Sequence, residues 1–557
     1  QMPDESEVSM RLMDRILYVR SDYHAISQII FSGEDHTYVY DLSDKLIFSE
    51  KMMLVNQEMA VPLTDMSADS YDVYVVYKDE FYNHKIIKGI SHIDKLFCLL
   101  CGGFLMFLIS DFCNFIHKVD NFCILAYNQL QNSIKNKGLI KMKIRKLLAI
   151  WAAKAAGAGC KMMGRQGVTW AGKIALKIYP QILTELSKEV RKGIFVVCGT
   201  NGKTTTNNML CAALEAEGQK VVCNHTGSNM LNGVVAAFAL GAGLNGHSDA
   251  DYAFIEVDEA STRHIFPRMK PNYMVMTNLF RDQLDRYGEI DITMNILEEM
   301  IRTVPDMKLI VNGDDALSAY MAMDSGNPCV YYGISRPVMR NETNEIREGR
   351  FCKKCGERLQ YSFYHYSQLG DYQCPKCGFK RPVPDYDAED VKVGDQLSFS
   401  VEGKRIVANY RGFYNVYNIL AAYAGIRTAG FKAEHFMDML KNFNPENGRM
   451  EQFRIKGAGV TLNLAKNPAG FNQNISAVMQ DTNPKDVIIA INDNAQDGID
   501  ISWLWDVDFD RLGEDSIRSV TVSGIRCQDM RLRLKYVDIP SILESDVEKA
   551  VRDRVAD

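Results

Sequence analysis

Short uninterrupted apolar runs punctuate the middle of the chain. Gly193-Ile194-Phe195-Val196-Val197-Cys198 and Tyr252-Ala253-Phe254-Ile255-Glu256 read as strands covered on both faces, the pattern of a parallel sheet. After the first run, Met209, Leu210 and Ala213 recur at helical spacing, so strand, loop and helix follow one another. Upstream, a helical pattern starts at Met142 and lasts to about Val190. Its opening is basic and amphipathic, with Lys143, Arg145, Lys146 and Lys154 set among Leu147, Leu148, Ile150 and Trp151. Two readings stay open: a surface that approaches anionic lipid headgroups, or a helix packed on the next domain with a solvated basic face. In residues 1–141, runs such as Tyr71–Tyr77 read as strands of a small α/β or α+β unit. Leu96–Ile109 is apolar but too short to span a bilayer, and reads as a buried or interfacial helix with Cys98 and Cys101 as buried thiols. This segment carries no catalytic constellation and is left as an unassigned N-terminal extension.

At 557 residues the chain has room for several domains. With 64 basic and 70 acidic residues it has a formal net charge of −6, which argues against a dedicated nucleic-acid binder. No apolar stretch is long enough for a membrane span and no signal-peptide pattern opens the chain, so a cytoplasmic protein is expected. Besides the CxxC of Cys98 and Cys101, four of the 14 cysteines fall in two further CxxC pairs close together, a pattern that points to a metal site in a reducing compartment.

The loop after the first strand is Gly199-Thr200-Asn201-Gly202-Lys203-Thr204-Thr205-Thr206. Glycines let backbone N–H groups close around phosphates, and a helix N-terminus adds positive potential. Gly199, Thr200, Asn201, Gly202, Lys203, Thr204 and Thr205 are therefore expected to bind ATP. Lys203 would bridge the β- and γ-phosphates and Thr204 would offer its hydroxyl to Mg²⁺. Val197 stands where the general pattern has its first glycine, so the loop is a variant. Glu256, at the end of the second strand, is the expected second Mg²⁺ contact, direct or through water, with Asp258 and Glu259 beside it.

Cys352-Lys353-Lys354-Cys355 and Cys374-Pro375-Lys376-Cys377 are two knuckles 18 residues apart, each followed by a glycine (Gly356, Gly378). This is zinc-ribbon spacing, and four thiolates make a closed, structural Zn²⁺ site. Tyr361, Phe363, Tyr364 and Tyr366 are expected to cover a ribbon too small for a core of its own.

Taken together, the variant loop, Glu256 and the run Thr277-Asn278-Leu279-Phe280-Arg281-Asp282-Gln283-Leu284-Asp285-Arg286-Tyr287-Gly288 resemble the Mur ligases and folylpolyglutamate synthases. Further similarity lies in Gly412–Asn418, where the resemblance makes Asn415 and Asn418 adenine-side residues, and in Asn447-Gly448-Arg449-Met450-Glu451, where it brings Arg449 to the ATP phosphates. Lys466–Gly470 and Asn492-Asp493-Asn494 resemble loops that close over the nucleotide, which adds Asp493. Within that family the Arg281-Asp282-Gln283 version, the Asp497-Gly498-Ile499-Asp500-Ile501-Ser502-Trp503 run and the four-cysteine insertion resemble the MurT branch. The implied fold is α/β: a Mur-ligase-type central ATPase domain with a parallel sheet at 191–446, a ribbon inserted at about 350–383, and an α/β C-terminal domain at 447–557. The basic amphipathic helical region occupies 142–190 and the extension 1–141. The chain ends soon after Leu543-Glu544-Ser545, where a last strand and helix would be expected, so that domain reads as truncated.

The resemblance implies an ATP-dependent ligase that phosphorylates a carboxylate and lets an amine attack the acyl phosphate. For the MurT branch the carboxylate is the α-carboxyl of D-isoglutamate in the lipid II stem peptide and the nucleophile is ammonia. No glutaminase constellation is present in this chain, so the resemblance implies a separate class I glutamine amidotransferase subunit of the GatD type. It also implies that Asp500 orients that partner's histidine; the plainer reading is a loop Asp capping a helix near Ser502. Lipid II as substrate places the protein at the inner face of the membrane, with no role for nucleic acid. Two alternatives stay open: a Mur or folylpolyglutamate-type ligase using a free amino acid, and a zinc-ribbon ATPase that binds nucleic acid or protein.

Overall fold

The structure, a computed structural model, describes the strands of residues 8–86 by their backbone pairing, and then residues 138–162, 168–281, 290–338, 348–394, 396–409, 411–443, 451–494 and 500–556. Leu96–Ile109 with Cys98 and Cys101, residues 282–288, Arg449 and the Asp497-Gly498-Ile499 stretch lie outside the described residues. The chain divides into two units, the first ending at Lys135.

Among the described residues the first unit holds the strands β1 Val8–Met13, β2 Ile16–Ser21, β3 Gln28–Ser32, β4 Thr37–Asp41, β5 Glu58–Pro62, β6 Tyr71–Tyr77 and β7 Glu80–Ile86. They pair antiparallel in two sheets, β1-β2-β5 and β4-β3-β6-β7.

The second unit is built on a seven-stranded parallel sheet. Its strands are β8 Gly193–Cys198, β9 Val221–Cys223, β10 Tyr252–Glu256, β11 Tyr273–Met276, β12 Lys308–Asn312, β13 Cys329–Gly333 and β16 Tyr386–Asp387, in the order β16-β13-β12-β11-β8-β10-β9. Along β8, Ile194, Val196 and Cys198 join one buried cluster while Phe195 and Val197 join another on the opposite face. Helices cover both faces, which is why the strand is apolar at every position.

On one face lie α1 Gly138–Met162, α2 Val168–Ile178, α3 Ile182–Lys188 and α5 Leu231–Gly241. The packing of α2 on α5 is close enough that a Cβ on Gly172 would sit 1.7 Å from the Asn232 carbonyl oxygen. Three basic residues of α1 turn inward here, while Lys143 stays exposed. Lys146 is buried and donates to Glu189 at 2.6 Å, Arg145 donates to the Ile178 carbonyl, and Lys154 donates to the Leu240 carbonyl. Of the two readings of this helix, packing on the neighbouring domain is the one its side chains follow. The other face carries α4 Lys203–Ala216 and α6 Tyr414–Thr428.

The inserted ribbon is the hairpin β14 Gln360–Tyr366 and β15 Leu369–Gln373, flanked by the two cysteine knuckles. A three-stranded antiparallel sheet follows, β17 Glu389–Lys392, β18 Leu397–Val401 and β19 Lys404–Ala408. The hairpin β20 Glu451–Ile455 and β21 Ala458–Leu462 then leads to a parallel sheet of β22 Lys485–Ala490, β23 Ile517–Ser523 and β24 Ile542–Leu543. Helices α7 Pro468–Met479, α8 Cys527–Lys535 and α9 Val547–Ala556 accompany it. Strand β24 and helix α9 are the last described elements of this domain.

Candidate active site

The phosphate loop joins β8 to α4 at the C-terminal edge of the sheet, where β10 and β11 flank β8 on either side. That edge is where open α/β sheets bind ligands. The loop is held from outside by the segment after β11. Thr200 N–H donates to the Asn278 carbonyl, Asn201 N–H donates to Asn278 Oδ1, and Thr200 Oγ1 donates to the Phe280 carbonyl at 2.9 Å. Those two amides are engaged by the protein itself, which leaves the first turn of α4, whose N–H groups have no intrahelical partners, as the place that could hold an anion. Gly202 is the turning point, with φ of 84°, and a Cβ there would lie 2.2 Å from Asn418 Oδ1. Glycine is thus required both by the backbone conformation and by the closeness of α6.

Lys203 is buried and folded back on its own loop. Its Nζ donates to the Gly199 carbonyl at 2.6 Å and to Glu259 Oε1 at 3.1 Å, and the same carboxylate oxygen accepts the Gly199 N–H. Glu259 therefore occupies, as an internal anion, a place among donors of the phosphate loop.

Glu256 ends β10 and is buried. Asn224 brackets its backbone, accepting its N–H and donating to its carbonyl, and Asn229 donates to Oε1 at 2.9 Å. The other oxygen, Oε2, is buried with no hydrogen-bond partner. A buried carboxylate oxygen left in this way calls for a cation. The gap it faces is shared with the Thr204 hydroxyl, for a Cβ on Gly227 would lie 3.2 Å from Thr204 Oγ1 and 3.4 Å from Glu256 Oε2. A hard cation takes oxygen ligands of this kind, so the pair fits the Mg²⁺ site expected of Thr204 and Glu256.

A cleft opens here, lined by residues 200–205, by Glu256 and Asn278, and by Asn415 and Asn418 of α6. Asn418 donates to Asn415 Oδ1, and Asn415 donates to the Arg411 carbonyl. The far wall comes from the C-terminal domain, including Lys466, Gln473 and Asn474. Asn201 and Asn467 exchange side-chain amide hydrogen bonds of 3.3 and 3.0 Å across the gap. Asn467 also caps α7 by accepting the Gly470 N–H. Lys466 and Asn467 stand in a run noted in the sequence, but nothing local marked which of its residues would reach the loop.

Two expected residues lie elsewhere. Asp493 is not part of the cleft lining; it follows β22 in the C-terminal sheet and pairs with Arg526 at 3.0 Å. Asp500 accepts the Ser502 N–H at 2.8 Å, an Asx-type bond just ahead of the turn Ser502–Asp506. A residue not singled out for the site, Arg281, pairs with Asp506 of that same turn.

The four ribbon cysteines converge. Cys352 and Cys377 sulfurs are 3.5 Å apart, as are those of Cys355 and Cys374, and all four lie within 4.8 Å of one another. Bonds of about 2.3 Å to a tetrahedral zinc would set neighbouring sulfurs roughly 3.8 Å apart. The arrangement fits a metal site of four thiolates and leaves no position for water. Gly356 and Gly378 take φ of 76° and 74° and close the two knuckles. Burial pushes the Cys374 thiol up, but N–H groups of Cys377 and Lys376 and the adjacent thiols bring it down to about 6.

The ribbon hairpin is wired into the nucleotide site. Tyr366 lines the cleft and packs edge-on against Phe413 and Tyr417, so it does not cover the ribbon as expected. At the hairpin tip Gln368 donates to the Leu279 carbonyl and to Asp315. Behind it, buried Asp314 accepts Arg381 Nε at 2.6 Å and the Tyr417 hydroxyl at 2.7 Å, and Tyr417 lies between Asn415 and Asn418 on α6.

Residues 197–426 match the Mur ligase middle domain and residues 464–556 match the MurT ligase C-terminal domain. Among curated proteins the chain is 36% identical over 409 residues to the MurT subunit of lipid II isoglutaminyl synthase (glutamine-hydrolyzing) of Staphylococcus aureus strain COL, covering 73% of this chain and 92% of that protein.

The chain belongs to the MurT family.

The MurT subunit of Streptococcus pneumoniae strain R6 is 33% identical over 405 residues, with 72% of this chain and 89% of that protein covered. A pseudomurein peptide ligase type C from Methanothermus fervidus shares the fold at a TM-score of 0.52 and 24% identity, over 67% of this chain and 73% of that one. As a MurT-family protein the chain is a Mur-type, ATP-dependent carbon–nitrogen ligase of peptidoglycan biosynthesis, and ATP with Mg²⁺ is the family's requirement. Among the described residues no helix is long and apolar enough to cross a membrane.

Proposed function

We propose that this MurT-family ligase amidates the α-carboxylate of D-isoglutamate in the lipid II stem peptide, using ammonia from a GatD-like glutaminase subunit. The observation that carries the ligase chemistry is the unpartnered Glu256 Oε2 facing the Thr204 hydroxyl beside Lys203. The amidation reading rests on the relatives, which are named as subunits of a glutamine-hydrolysing lipid II isoglutaminyl synthase.

The first turn of α4 and Lys203 bind the β- and γ-phosphates, Lys203 exchanging Glu259 for phosphate oxygen. Mg²⁺ held by Thr204 and Glu256 would offset the charge that builds up on the phosphates. The stem-peptide carboxylate oxygen attacks the γ-phosphorus, the bond to the β,γ-bridging oxygen breaks, and ADP leaves. Ammonia then attacks the acyl carbon, the carbon–oxygen bond to phosphate breaks, and the amide and inorganic phosphate result. Neutral ammonia is scarce near neutral pH, so direct delivery from a partner is favoured. Asp500, fixed by its bond to Ser502 N–H, is the carboxylate assigned to hold that partner's histidine in the useful tautomer. Attachment to the inner membrane face rests on the lipid-linked substrate, since Arg145, Lys146 and Lys154 of α1 are engaged within the protein. Cys352, Cys355, Cys374 and Cys377 would hold zinc, which would keep the hairpin folded.

The test is incubation of the purified chain with lipid II, ATP and either ammonium or glutamine, following the mass of the stem peptide. Exchange of a carboxyl OH for NH₂ with ammonium alone is expected, and use of glutamine only after a GatD-like subunit is added. Lys203→Ala should lower the rate by about 10²–10³-fold, the usual cost of removing a transition-state charge contact. ATP turnover with an amino acid joined to the substrate in place of nitrogen would overturn the amidation reading in favour of an amino-acid-adding ligase.

A further inference from the structure

A second group of metal-ligating side chains lies outside the ribbon and is not used by the proposed reaction. Cys211 is on α4, two turns beyond the phosphate loop; Cys223 ends β9; His225 is in the turn that follows. Their ligand atoms lie within 4.8 Å of one another, and Cys211 Sγ is 4.0 Å from His225 Nε2. A tetrahedral zinc with sulfur at about 2.3 Å and nitrogen at about 2.0–2.1 Å sets such a pair roughly 3.6 Å apart, so Cys211 and His225 need close by only a few tenths of an ångström. Cys211 is buried, Cys223 half-buried and His225 exposed, which gives a dry base and an open entry.

The strand end is already pinned to the helix by a shell of amides. Asn207 donates to Cys223 Sγ at 3.2 Å and to Asn224 Oδ1, and Asn208 donates to the His225 carbonyl. Outer partners of this kind orient first ligands and are worth about 10- to 100-fold in metal affinity. We propose that Cys211, Cys223 and His225 form a second zinc site, with three protein ligands and a fourth position open to water. Two thiolates and an imidazole select Zn²⁺ over the Mg²⁺ of the neighbouring oxygen pocket. An ion there ties α4 to the turn at Asn224, the residue that brackets Glu256 on both sides. Zinc would thereby brace the strand end that presents the Mg²⁺-facing carboxylate. This assignment does not depend on which amine the ligase uses.

Metal analysis of the full chain, followed by titration with Co²⁺ after mild chelation, tests the proposal. Two metal equivalents are expected, the weaker one showing thiolate-to-cobalt charge-transfer absorption. His225→Ala, an exposed position where folding is not at risk, should weaken that equivalent by more than about 100-fold, beyond the loss of an outer partner. Cys223→Ser should remove it while the ribbon equivalent is kept. A single equivalent in the unaltered chain, or a second one indifferent to both substitutions, would overturn the site.

Discussion

Lys203 and Glu259 are each about 6% exposed, so their two charges are buried together. Such a pair is strongly destabilised when one member is removed, because the other is left uncompensated. Glu259→Gln is therefore expected to lower the stability of the nucleotide-free protein by about 3–5 kcal/mol and to enlarge the stabilisation that ATP brings. Thermal melts with and without nucleotide check this; equal shifts in both states would show that Glu259 does not stand in for phosphate. A second residue-scale effect concerns His365, which is fully buried and has Nε2 3.0 Å from the Ile334 carbonyl. A carbonyl only accepts, so the ring donates there. Burial lowers its pKa below the ordinary 6.5, against the pull of Asp314. The unfolded chain takes up a proton below about pH 6.5 while the native ring resists, so stability is present above that pH and is lost as pH falls through the native value. His365→Gln should flatten the fall of melting temperature between neutral and mildly acidic pH. An unchanged slope would assign the acid sensitivity to other groups.

At the scale of elements, the strand-loop-helix of 193–216 and the strand ending at Glu256 were legible, because an apolar run buried on both faces and a glycine loop are local signals. The cysteine knuckles were legible for the same reason: metal ligation demands particular residues at particular spacing. The ribbon's second role was not. Tyr366 reads as one aromatic among several in β14, and only the fold turns it toward Phe413, Tyr417 and the cleft. The helix at 138–162 kept two readings open in sequence, and only the fold chose between them. Its lysines look solvated in sequence, yet Lys146 and Lys154 find acceptors on residues far along the chain. If the hairpin positions the nucleotide, Tyr366→Leu should weaken ATP binding about tenfold, the scale of an aromatic contact of roughly 1.5 kcal/mol. Stripping the ribbon metal should give at least the same loss. Native ATP affinity in zinc-free, folded protein would show that the hairpin is not part of the site.

At the scale of the whole molecule, the cleft exists because two domains meet over the phosphate loop. Asn467 serves both as the cap of α7 and as the bridge to Asn201. Serine is an equally good cap but is too short for the bridge, so Asn467→Ser separates the roles. The melting temperature should hold, while KM for ATP rises roughly fivefold, matching a net hydrogen bond of about 1 kcal/mol. A lower melting temperature with unchanged KM would leave Asn467 with the cap alone.

Spacing and periodicity along the chain were enough for the parallel sheet, the phosphate loop, the acid opposite it and the four-sulfur site, since each is built from residues close in sequence or of strict chemical type. The unpartnered oxygen of Glu256, the Lys203–Glu259 pair, the amide clamp between Asn201 and Asn467 and the meeting of Cys211, Cys223 and His225 join residues that are distant along the chain or unremarkable within it. Nothing in local pattern records such neighbours, because they are set by how helices and strands pack on the two faces of one sheet.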